Sequence, residues 1–250
     1  MDRLLHVLLS GFRQSAISQR VLASNLANLE TIGYRADATR EFRSLYLAQG
    51  GALSSRVFST SGVQSIDSRD GAIMRTGNEL DVAVQGDGYL LVRLENGEQV
   101  LSRRGDLRVI ADGALVNGAG QQVIGDAGPI VIPPYRALHI TSDGTINIVP
   151  LEAEQDAPPV ALARLALVAR PAGGIRRRED GNLEPADGRP TPLDGSQTVI
   201  TGSLEKSNVN TVEVLGEMVE ISRLFEAQSR LMKITSTLDE SGAALMRSND

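Results

Sequence analysis

The sequence contains no cysteine and no tryptophan, and aromatic residues make up only 3% of its 250 residues. The absence of cysteine excludes disulfide bonds, zinc–thiolate sites and thiol nucleophiles. With so few aromatic residues, a hydrophobic core has to be built from Leu, Val, Ile and Ala. The hydrophobic content of 41% and the charged content of 22% are nevertheless typical of a soluble globular chain.

The chain also lacks an excess of positive charge and a long apolar run. Its net charge of −6 argues against a nucleic-acid-binding protein, which needs a basic surface to neutralise phosphates. No stretch approaches the roughly 20 apolar residues of a membrane-spanning helix. The opening "MDRLLHVLLSGFRQS" has a short apolar run broken by His6 and no small-residue cleavage site, so we expect no secretory signal peptide. Taken alone, these features favour a cytoplasmic, soluble protein.

Sequence motifs for catalysis or metal binding are equally scarce. The two histidines, His6 and His139, belong to no HExxH motif or other metal-binding spacing, and no G-x-S-x-G motif is present. The Gly-rich segments "GDGY" and "GAGQQVIG" lack the residues of a phosphate or dinucleotide loop, and turns between strands explain them better. We therefore predict no catalytic residue, no metal site and no cofactor.

The first segment of the chain has the pattern of a long helix. From Asp2 to about Asn28 it contains no proline and a single glycine. Apolar side chains, among them Leu22 and Leu26, recur at alternating steps of three and four with polar interruptions, as in a heptad seam. Gly33 follows where a helix stop is expected.

The last segment repeats this pattern. From about Val212 to Met246 there is no proline, and leucine recurs every seven residues. The stripe consists of Val214, Met218, Ile221, Leu224, Phe225, Leu231, Met232, Leu238 and Leu245. Because isolated helices are marginal in water, we expect the two terminal stripes to pack on each other or on copies from other subunits, like a coiled coil. An ordinary intramolecular helical hairpin is the alternative.

Between the helices, short β-like runs alternate with turn signals. Asn96-Gly97, Asp112-Gly113 and Asp143-Gly144 each separate two such runs and predict hairpins. Strands every 8–12 residues indicate a small β-sandwich or barrel inserted between the helices, and hence an α+β fold. The predicted domains are a helix at 1–35, an extended linker at 36–75, a β-rich domain at 76–203 with a turn-rich insertion around 151–195, and a second helix at 204–250.

Both ends carry motifs that resemble those of flagellar rod and hook proteins. "ASNLANLETIGYRA" is similar to that family's N-terminal signature, Asn-Leu-Ala-Asn followed by Thr-x-Gly-aromatic-basic. "GSLEKSNVNTVEVLGEMVEISRLFEAQSRLMK" is similar to its C-terminal signature, and "GNELDVAVQGDGYLLV" to its shared β domain. Within the family, the Met-Asp-Arg start, the length and "GDAGPIVIPP" favour a proximal rod subunit, with a distal rod subunit as the close alternative.

The resemblance implies a structural subunit of the bacterial flagellar basal body. Such a subunit assembles through its terminal helices into a hollow, periplasm-spanning rod that transmits torque and lines the export channel. Its implied partners are other rod subunits, copies of itself and the flagellar type III export apparatus, which exports it without a cleaved signal peptide. The resemblance implies no enzymatic activity, no nucleic-acid partner and no membrane insertion. The alternative is a soluble enzyme or carbohydrate-binding β domain with its own helical hairpin.

The family motifs and helical stripes together define candidate assembly residues. We expect Asn28 to help end the first helix, Asn208 to Asn210 to cap the second, and Asn25 to hydrogen-bond across a helix–helix contact and fix its register. On this interpretation, replacing Asn25 by Leu preserves or raises helicity but misregisters assembly. The candidate residues are Leu22, Asn25, Leu26, Asn28, Gly33, Tyr34, Asn208, Asn210, Met218, Ile221, Leu224, Phe225, Leu231 and Met232.

Overall fold

The computed structural model describes residues 2–38, 65–154 and 157–247, with side chains between residues 9 and 237. Within these residues there are two helices, α1 (Asp2–Ala27) and α2 (Thr211–Arg247), and the strands lie between them. Most of the linker predicted at 36–75 lies outside the described residues, as do the side chains of Leu238 and Leu245.

The strands are short. They are β1 (Asp37–Ala38), β2 (Ser65–Ile66), β3 (Ile73–Arg75), β4 (Val82–Val84), β5 (Tyr89–Arg93), β6 (Gln99–Ser102), β7 (Leu107–Val109), β8 (Leu115–Asn117), β9 (Gln122–Gly125), β10 (Gly128–Pro129), β11 (Tyr135–Ile140), β12 (Thr145–Pro150), β13 (Val160–Arg164), β14 (Leu167–Val168), β15 (Ile175–Arg177), β16 (Leu183–Pro185), β17 (Val199–Thr201) and β18 (Ser203–Glu205).

The chain divides into two compact units. The helical unit comprises residues 1–27, 37–64 and 210–250, and the β unit comprises residues 28–36 and 65–209. The helical unit therefore contains α1, β1 and α2, and the β unit contains the other strands. Each unit is discontinuous in sequence, because the β unit is inserted between the two helices.

In the helical unit, α1 and α2 touch through a few defined side chains. The rings of Phe12 and Phe225 meet edge to face, with centroids 4.9 Å apart and an interplanar angle of 89°. The Ser15 hydroxyl donates a hydrogen bond to the side-chain oxygen of Gln228, at 3.4 Å. An aromatic pair of this geometry stabilises by about 0.5–1.5 kcal/mol beyond the area that it buries.

These contacts do not form a coiled coil, so that part of the predicted fold class is wrong. Leu224 and Leu231, on the line of leucines at seven-residue spacing, are 48% and 52% exposed. The less exposed α2 side chains lie on a different line, which includes Val214, Met218, Ile221, Gln228, Met232 and Thr235. A coiled coil needs apolar knobs from both helices, whereas the side chains that α1 buries include Gln14, Ser15 and Ser18. Of the two polar residues that interrupt the N-terminal stripe, Ser15 is buried and Gln19 is exposed.

In the β unit, the strand pairs are antiparallel and form four sheets among the described residues. The largest has nine strands along the path β15-β16-β6-β5-β9-β8-β7, with β10 on β9 and β14 on β5. The second sheet has the order β11-β12-β13, and the pairs β17-β4 and β18-β3 form the other two. The β-rich middle of the chain is thus as the sequence predicts.

The three predicted hairpins are confirmed. Asn96-Gly97 joins β5 to β6, Asp112-Gly113 joins β7 to β8, and Asp143-Gly144 joins β11 to β12. The glycine of each turn has a positive φ, between +83° and +88°. L-residues with a Cβ rarely adopt this conformation, so the turn chemistry is encoded locally.

The hydrophobic core of the β unit is aliphatic, as the composition requires. Leu90, Leu115, Val123 and Ile146 are fully buried and belong to one cluster, which draws on the nine-stranded and three-stranded sheets. Burying a Leu, Val or Ile side chain contributes about 1.5–3 kcal/mol, so this cluster supplies most of the driving force for folding of the unit. The core provides the rigid base for the side chains described next.

Candidate functional site

The chain passes between the two units at four points, after residues 27, 36, 64 and 209. Within the β unit, the segments next to these points are joined in one group of contacts, which we call the junction cluster. The junction cluster consists of Gly33–Ala36, Asp67–Gly71, Arg103 and Glu205–Asn208. It includes parts of both terminal motifs identified in the sequence.

Backbone hydrogen bonds first tie these segments together. The N–H of Gly33 donates to the carbonyl of Glu205 at 2.7 Å, and the N–H of Asn208 donates to the carbonyl of Tyr34 at 3.3 Å. On the other side, the N–H of Asp67 donates to the carbonyl of Ala36 at 2.8 Å. The segment that follows α1 therefore lies between the segment that precedes α2 and residues 65–71.

The Asn208 side chain bridges the same segments. Its Nδ2 donates to the carbonyls of Arg69 at 2.8 Å and Asp67 at 3.3 Å, and its Oδ1 accepts the N–H of Ala36 at 2.6 Å. An asparagine amide has both donors and an acceptor, so it can satisfy three backbone groups that a hydrophobic side chain would leave unpaired. Within the predicted capping segment Asn208 to Asn210, Asn210 caps α2: its Oδ1 accepts the N–H groups of Val212 and Glu213.

Four charged side chains close a ring at the centre of the junction cluster. Arg35 lies 2.7 Å from Asp70 and 2.9 Å from Glu205, and Arg103 lies 3.2 Å from each of the same two carboxylates. We call this arrangement the charge ring. Arg35, Arg103 and Glu205 are almost completely buried, whereas Asp70 is 58% exposed. The ring alternates two positive and two negative charges, so it is neutral as a whole.

Further bonds to the backbone hold the ring in place. Arg103 donates to the carbonyls of Val84, at 2.7 Å, and Gly86, at the turn between β4 and β5, and its guanidinium lies 5.1 Å from the centre of the Tyr89 ring. Glu205 Oε1 accepts the N–H of Gly71 at 2.8 Å. Arginine suits this site because its planar fork of donors reaches several acceptors at once. The contact between Arg103 and Glu205 Oε2 is an ion pair without hydrogen-bond alignment.

Close backbone approach explains two glycines of the cluster. Gly33 has a φ of +67°, and a Cβ there would overlap the backbone of Arg103. A Cβ on Gly71 would overlap the carbonyl of Lys206. Next to Gly33, the buried Tyr34 ring lies under the guanidinium of Arg177, 4.5 Å from its centroid. The Gly-Tyr-Arg sequence therefore serves packing within the β unit.

The predicted assembly residues of the helical unit fall into two groups. Leu22 and Asn25 are buried, and Leu26, Met218, Ile221 and Met232 are partly buried. Asn25 bonds the backbone of Asp37 twice: Nδ2 donates to its carbonyl and Oδ1 accepts its N–H, each at 2.9 Å. Asn28, which belongs to the β unit, accepts the Thr31 hydroxyl at 3.1 Å just after α1 ends.

The second group is exposed on α2. Leu224, Phe225 and Leu231 from the predicted set are between 45% and 52% exposed. They are accompanied by other large apolar side chains with similar or greater exposure, which are Val212, Leu215, Val219 and Ile234. Seven of the described large apolar side chains of α2 are therefore available for a contact with another protein.

Sequence reasoning missed the charge ring. Arg35 and Glu205 lie in the two motifs that carried the resemblance, but Asp70 and Arg103 were not singled out. The available signal was that each family motif includes a charged residue, Arg35 in one and Glu205 in the other. A charge that forms part of a motif is a candidate for a specific ion pair. Their pairing is non-local, so spacing along the chain could not reveal it.

The described residues contain no group of three or more His, Cys, Asp or Glu side chains placed to hold a metal ion. The carboxyls with strongly lowered pKa values are exposed turn residues. Hydrogen bonds from Thr141 and Thr145 lower the pKa of Asp143 to about 2, and those from Ser196 and Gln197 do the same for Asp194. These shifts arise from local turn geometry. Among the described residues, neither helix is long and apolar enough to cross a membrane.

Two family models match the chain. The flagellar hook protein FlgE/F/G D1 domain matches residues 83–148, within the β unit. The flagellar basal body rod FlgEFG protein C-terminal domain matches residues 200–245, which include Glu205, Asn208 and most of α2. These matches place the chain among the flagellar rod and hook proteins.

Full-length relatives narrow this class. FlgF, a flagellar basal-body rod protein, is 33% identical in Escherichia coli (strain K12) and in Salmonella typhimurium (strain LT2), over 247 residues that cover 96% of this chain and 95% of each relative. The rod protein FlgG of Bacillus subtilis (strain 168) is 30% identical over 259 residues, 96% of both chains. The chain therefore belongs to the flagellar basal-body rod protein family, in which it is FlgF-like and FlgG is close.

The resemblance identified in the sequence is thus confirmed. Family membership gives the chain a structural role in the rod of the flagellar basal body, and it gives no support to the alternative of an enzyme or carbohydrate-binding domain. The comparisons also show that the match extends over both units.

Proposed function

We propose that this rod subunit assembles with neighbouring rod subunits and copies of itself through the exposed apolar side chains of α2. The observation that carries the proposal is the exposure of Leu224, Phe225 and Leu231, three residues of the predicted set, in the isolated chain. Burying the remaining exposed half of each contributes roughly 1 kcal/mol, at about 25 cal/mol per Å² of apolar surface. The other exposed side chains of α2 add to this gain, which has to exceed the roughly 4–15 kcal/mol that association costs in translational and rotational freedom.

The contact has to be heterologous, with different surfaces of two neighbours meeting. Only such contacts repeat without closing on themselves and build a continuous rod. In the proposed arrangement the assembled subunits span the periplasm, line the export channel and transmit torque. Bond chemistry plays no part in this role, and the chain acts without a cofactor, a nucleic-acid partner or insertion into a membrane.

The proposal includes the route to the rod. The subunit is exported by the flagellar type III apparatus without a cleaved signal peptide. The resemblance of the two terminal motifs to those of the flagellar rod and hook proteins supports this route.

The remaining candidate residues keep a proposed role in assembly by positioning the exposed ones. Leu22, Asn25 and Leu26 hold α1 in the helical unit, and Met218, Ile221 and Met232 lie on the less exposed side of α2. Gly33, Tyr34 and Asn208 act inside the β unit, Asn28 orders the turn after α1, and Asn210 caps α2.

Purification of basal bodies tests the proposal. In a strain whose own copy carries a short tag, we expect the tagged chain to be retained in intact basal bodies after detergent and alkaline washing, and deletion of the gene to abolish swimming. A chain that is absent from washed basal bodies, or a deletion strain that swims normally, would overturn the proposed function.

A further inference from the structure

We propose that the charge ring is a conformational latch. It makes the segment that follows α1 and the segment that precedes α2 become ordered together, and only when the rest of the β unit is folded. The latch concerns the free chain in solution, so it does not depend on the proposed mode of assembly.

The four charged residues of the ring lie far apart in the sequence. Arg35 follows α1, Asp70 lies in the segment next to the passage after residue 64, Arg103 follows β6, and Glu205 ends β18. Each charge is therefore supplied by a different stretch of chain. No two neighbours in the ring are close in sequence, so the ring cannot form locally before these stretches meet.

Three of the four charged side chains of the ring are buried. Arg35, Arg103 and Glu205 are at most 3% exposed, so each depends on its ring partners to offset the loss of hydration. If the Glu205 segment leaves, the two guanidinium groups keep only the half-exposed Asp70 carboxylate as a charged partner within the ring. Because breaking a buried pair is far more costly than forming it is favourable, intermediate states with a partial ring are disfavoured.

Hydrogen bonds anchor Arg103 to another part of the β unit. Its bonds to the carbonyls of Val84 and Gly86 require that the turn between β4 and β5 is formed. The Arg103 guanidinium is therefore held beside Asp70 and Glu205 only when β4, β5 and the turn between them are folded. The flanking segments are ordered by these contacts, and their own backbone bonds then follow.

The charge ring is not optimised for stability alone. The buried Nε atoms of Arg35 and Arg103 have no hydrogen-bond partner among the described residues. A partly satisfied polar network is a poor way to gain stability compared with apolar packing, but it specifies one arrangement of the chain. Coupling between segments is the property that such a ring provides.

Amide hydrogen exchange on the full-length chain tests the latch. The reporters are the amides of Gly33, Lys206 and Asn208, which donate to backbone carbonyls and not to a side chain of the ring. In Asp70→Asn and in Glu205→Gln, we expect all three to exchange faster together, by about 10-fold and at least 100-fold respectively. The amide of Leu115, bonded to the carbonyl of Ile130 in the core, should keep its rate in Asp70→Asn.

Glu98→Gln is the matched control. Glu98 also pairs with an arginine, Arg178 at 2.8 Å, but it is half exposed and lies outside the ring. We expect its three reporter rates to stay within threefold of those of the unmodified chain.

Two results would overturn the latch. One is that Asp70→Asn speeds exchange near residue 70 but leaves Gly33 and Asn208 within threefold of their original rates. The other is that Gly33 and Asn208 respond by different factors, which would show that the two segments are ordered independently. If Glu205→Gln unfolds the β unit as well, as the Leu115 amide would report, Asp70→Asn decides alone.

Discussion

The Arg35 guanidinium lies 2.9 Å from the Glu205 carboxylate, and the two side chains are 1% and 3% exposed. Arg35 comes from the motif after the first helix, and Glu205 comes from the motif before the last helix. The two sequence signatures of the family therefore meet inside the β unit. Part of each signature serves the fold of the single subunit, in addition to any role in assembly.

Replacement of Arg103 by Met should destabilise the β unit by about 3–5 kcal/mol. The change removes one member of a buried ion-pair network: Glu205 loses one of its two positively charged partners, and the carbonyls of Val84 and Gly86 lose the guanidinium donor. Urea unfolding followed by circular dichroism measures the loss. Arg104→Met is the control: its pair with Asp106 is partly exposed, so we expect at most about 1 kcal/mol. Equal losses in the two variants would contradict the burial argument.

Gly33→Ala should destabilise the β unit by more than Gly77→Ala. Both glycines have a positive φ, +67° and +77°, so each substitution costs about 1 kcal/mol in backbone strain. At Gly33 the new Cβ also overlaps the backbone of Arg103, whereas nothing lies within 4 Å of it at Gly77. Thermal unfolding of the two variants gives the comparison. A smaller effect at Gly33 than at Gly77 would show that the close approach is relieved without cost.

Asn25→Leu should destabilise the helical unit by about 1–3 kcal/mol, which reverses the expectation from the sequence. Leucine is the better helix former, but it loses both side-chain bonds to the buried backbone of Asp37. Asn25→Asp keeps an acceptor for the Asp37 N–H. The stability of its helical unit should therefore lie between those of the unmodified chain and of Asn25→Leu. The helical circular dichroism signal during urea unfolding reports the effect, and a more stable Leu variant would exclude this role of the amide.

Asp143 should titrate far below its ordinary value of 3.8. Hydrogen bonds from Thr141 and Thr145 favour its charged form and lower its pKa to about 2. Because the folded-state pKa is depressed, its contribution to stability is present above about pH 4 and is lost as the pH falls through about 2. Carboxyl chemical shifts in an NMR titration measure this directly. Thr145→Val should raise the pKa toward 3.8, and an unchanged value would rule out the hydroxyl as its cause.

The sequence was informative wherever structure is encoded locally. Asn96-Gly97 and Asp143-Gly144 predicted hairpins correctly, since a short turn that ends in a glycine of positive φ depends mainly on its own residues and the runs beside them. The absence of proline and the apolar period indicated a helix at each end, but α1 (Asp2–Ala27) and α2 (Thr211–Arg247) are shorter than the helices predicted at 1–35 and 204–250. The family motifs at the two ends were sufficient for the resemblance.

Non-local features were beyond prediction from one sequence. The leucines at seven-residue spacing suggested a coiled-coil seam, but Leu224 and Leu231 are about half exposed, and Ser15 of α1 instead contacts Gln228, which lies off that line. Periodicity identifies an apolar line but does not say which line has a partner. The ring of Arg35, Asp70, Arg103 and Glu205 depends on tertiary approach, which spacing does not record.

Assembly through α2 is tested most directly by combining Leu224→Gln and Leu231→Gln in a strain that lacks its own copy of the gene. Both side chains are about half exposed, so the double variant should fold and be exported. We expect it to be absent from washed basal bodies and to leave the strain non-motile, whereas Ser222→Gln, another exposed position on α2, should restore swimming. Normal incorporation and swimming of the double variant would contradict assembly through these exposed apolar side chains of α2.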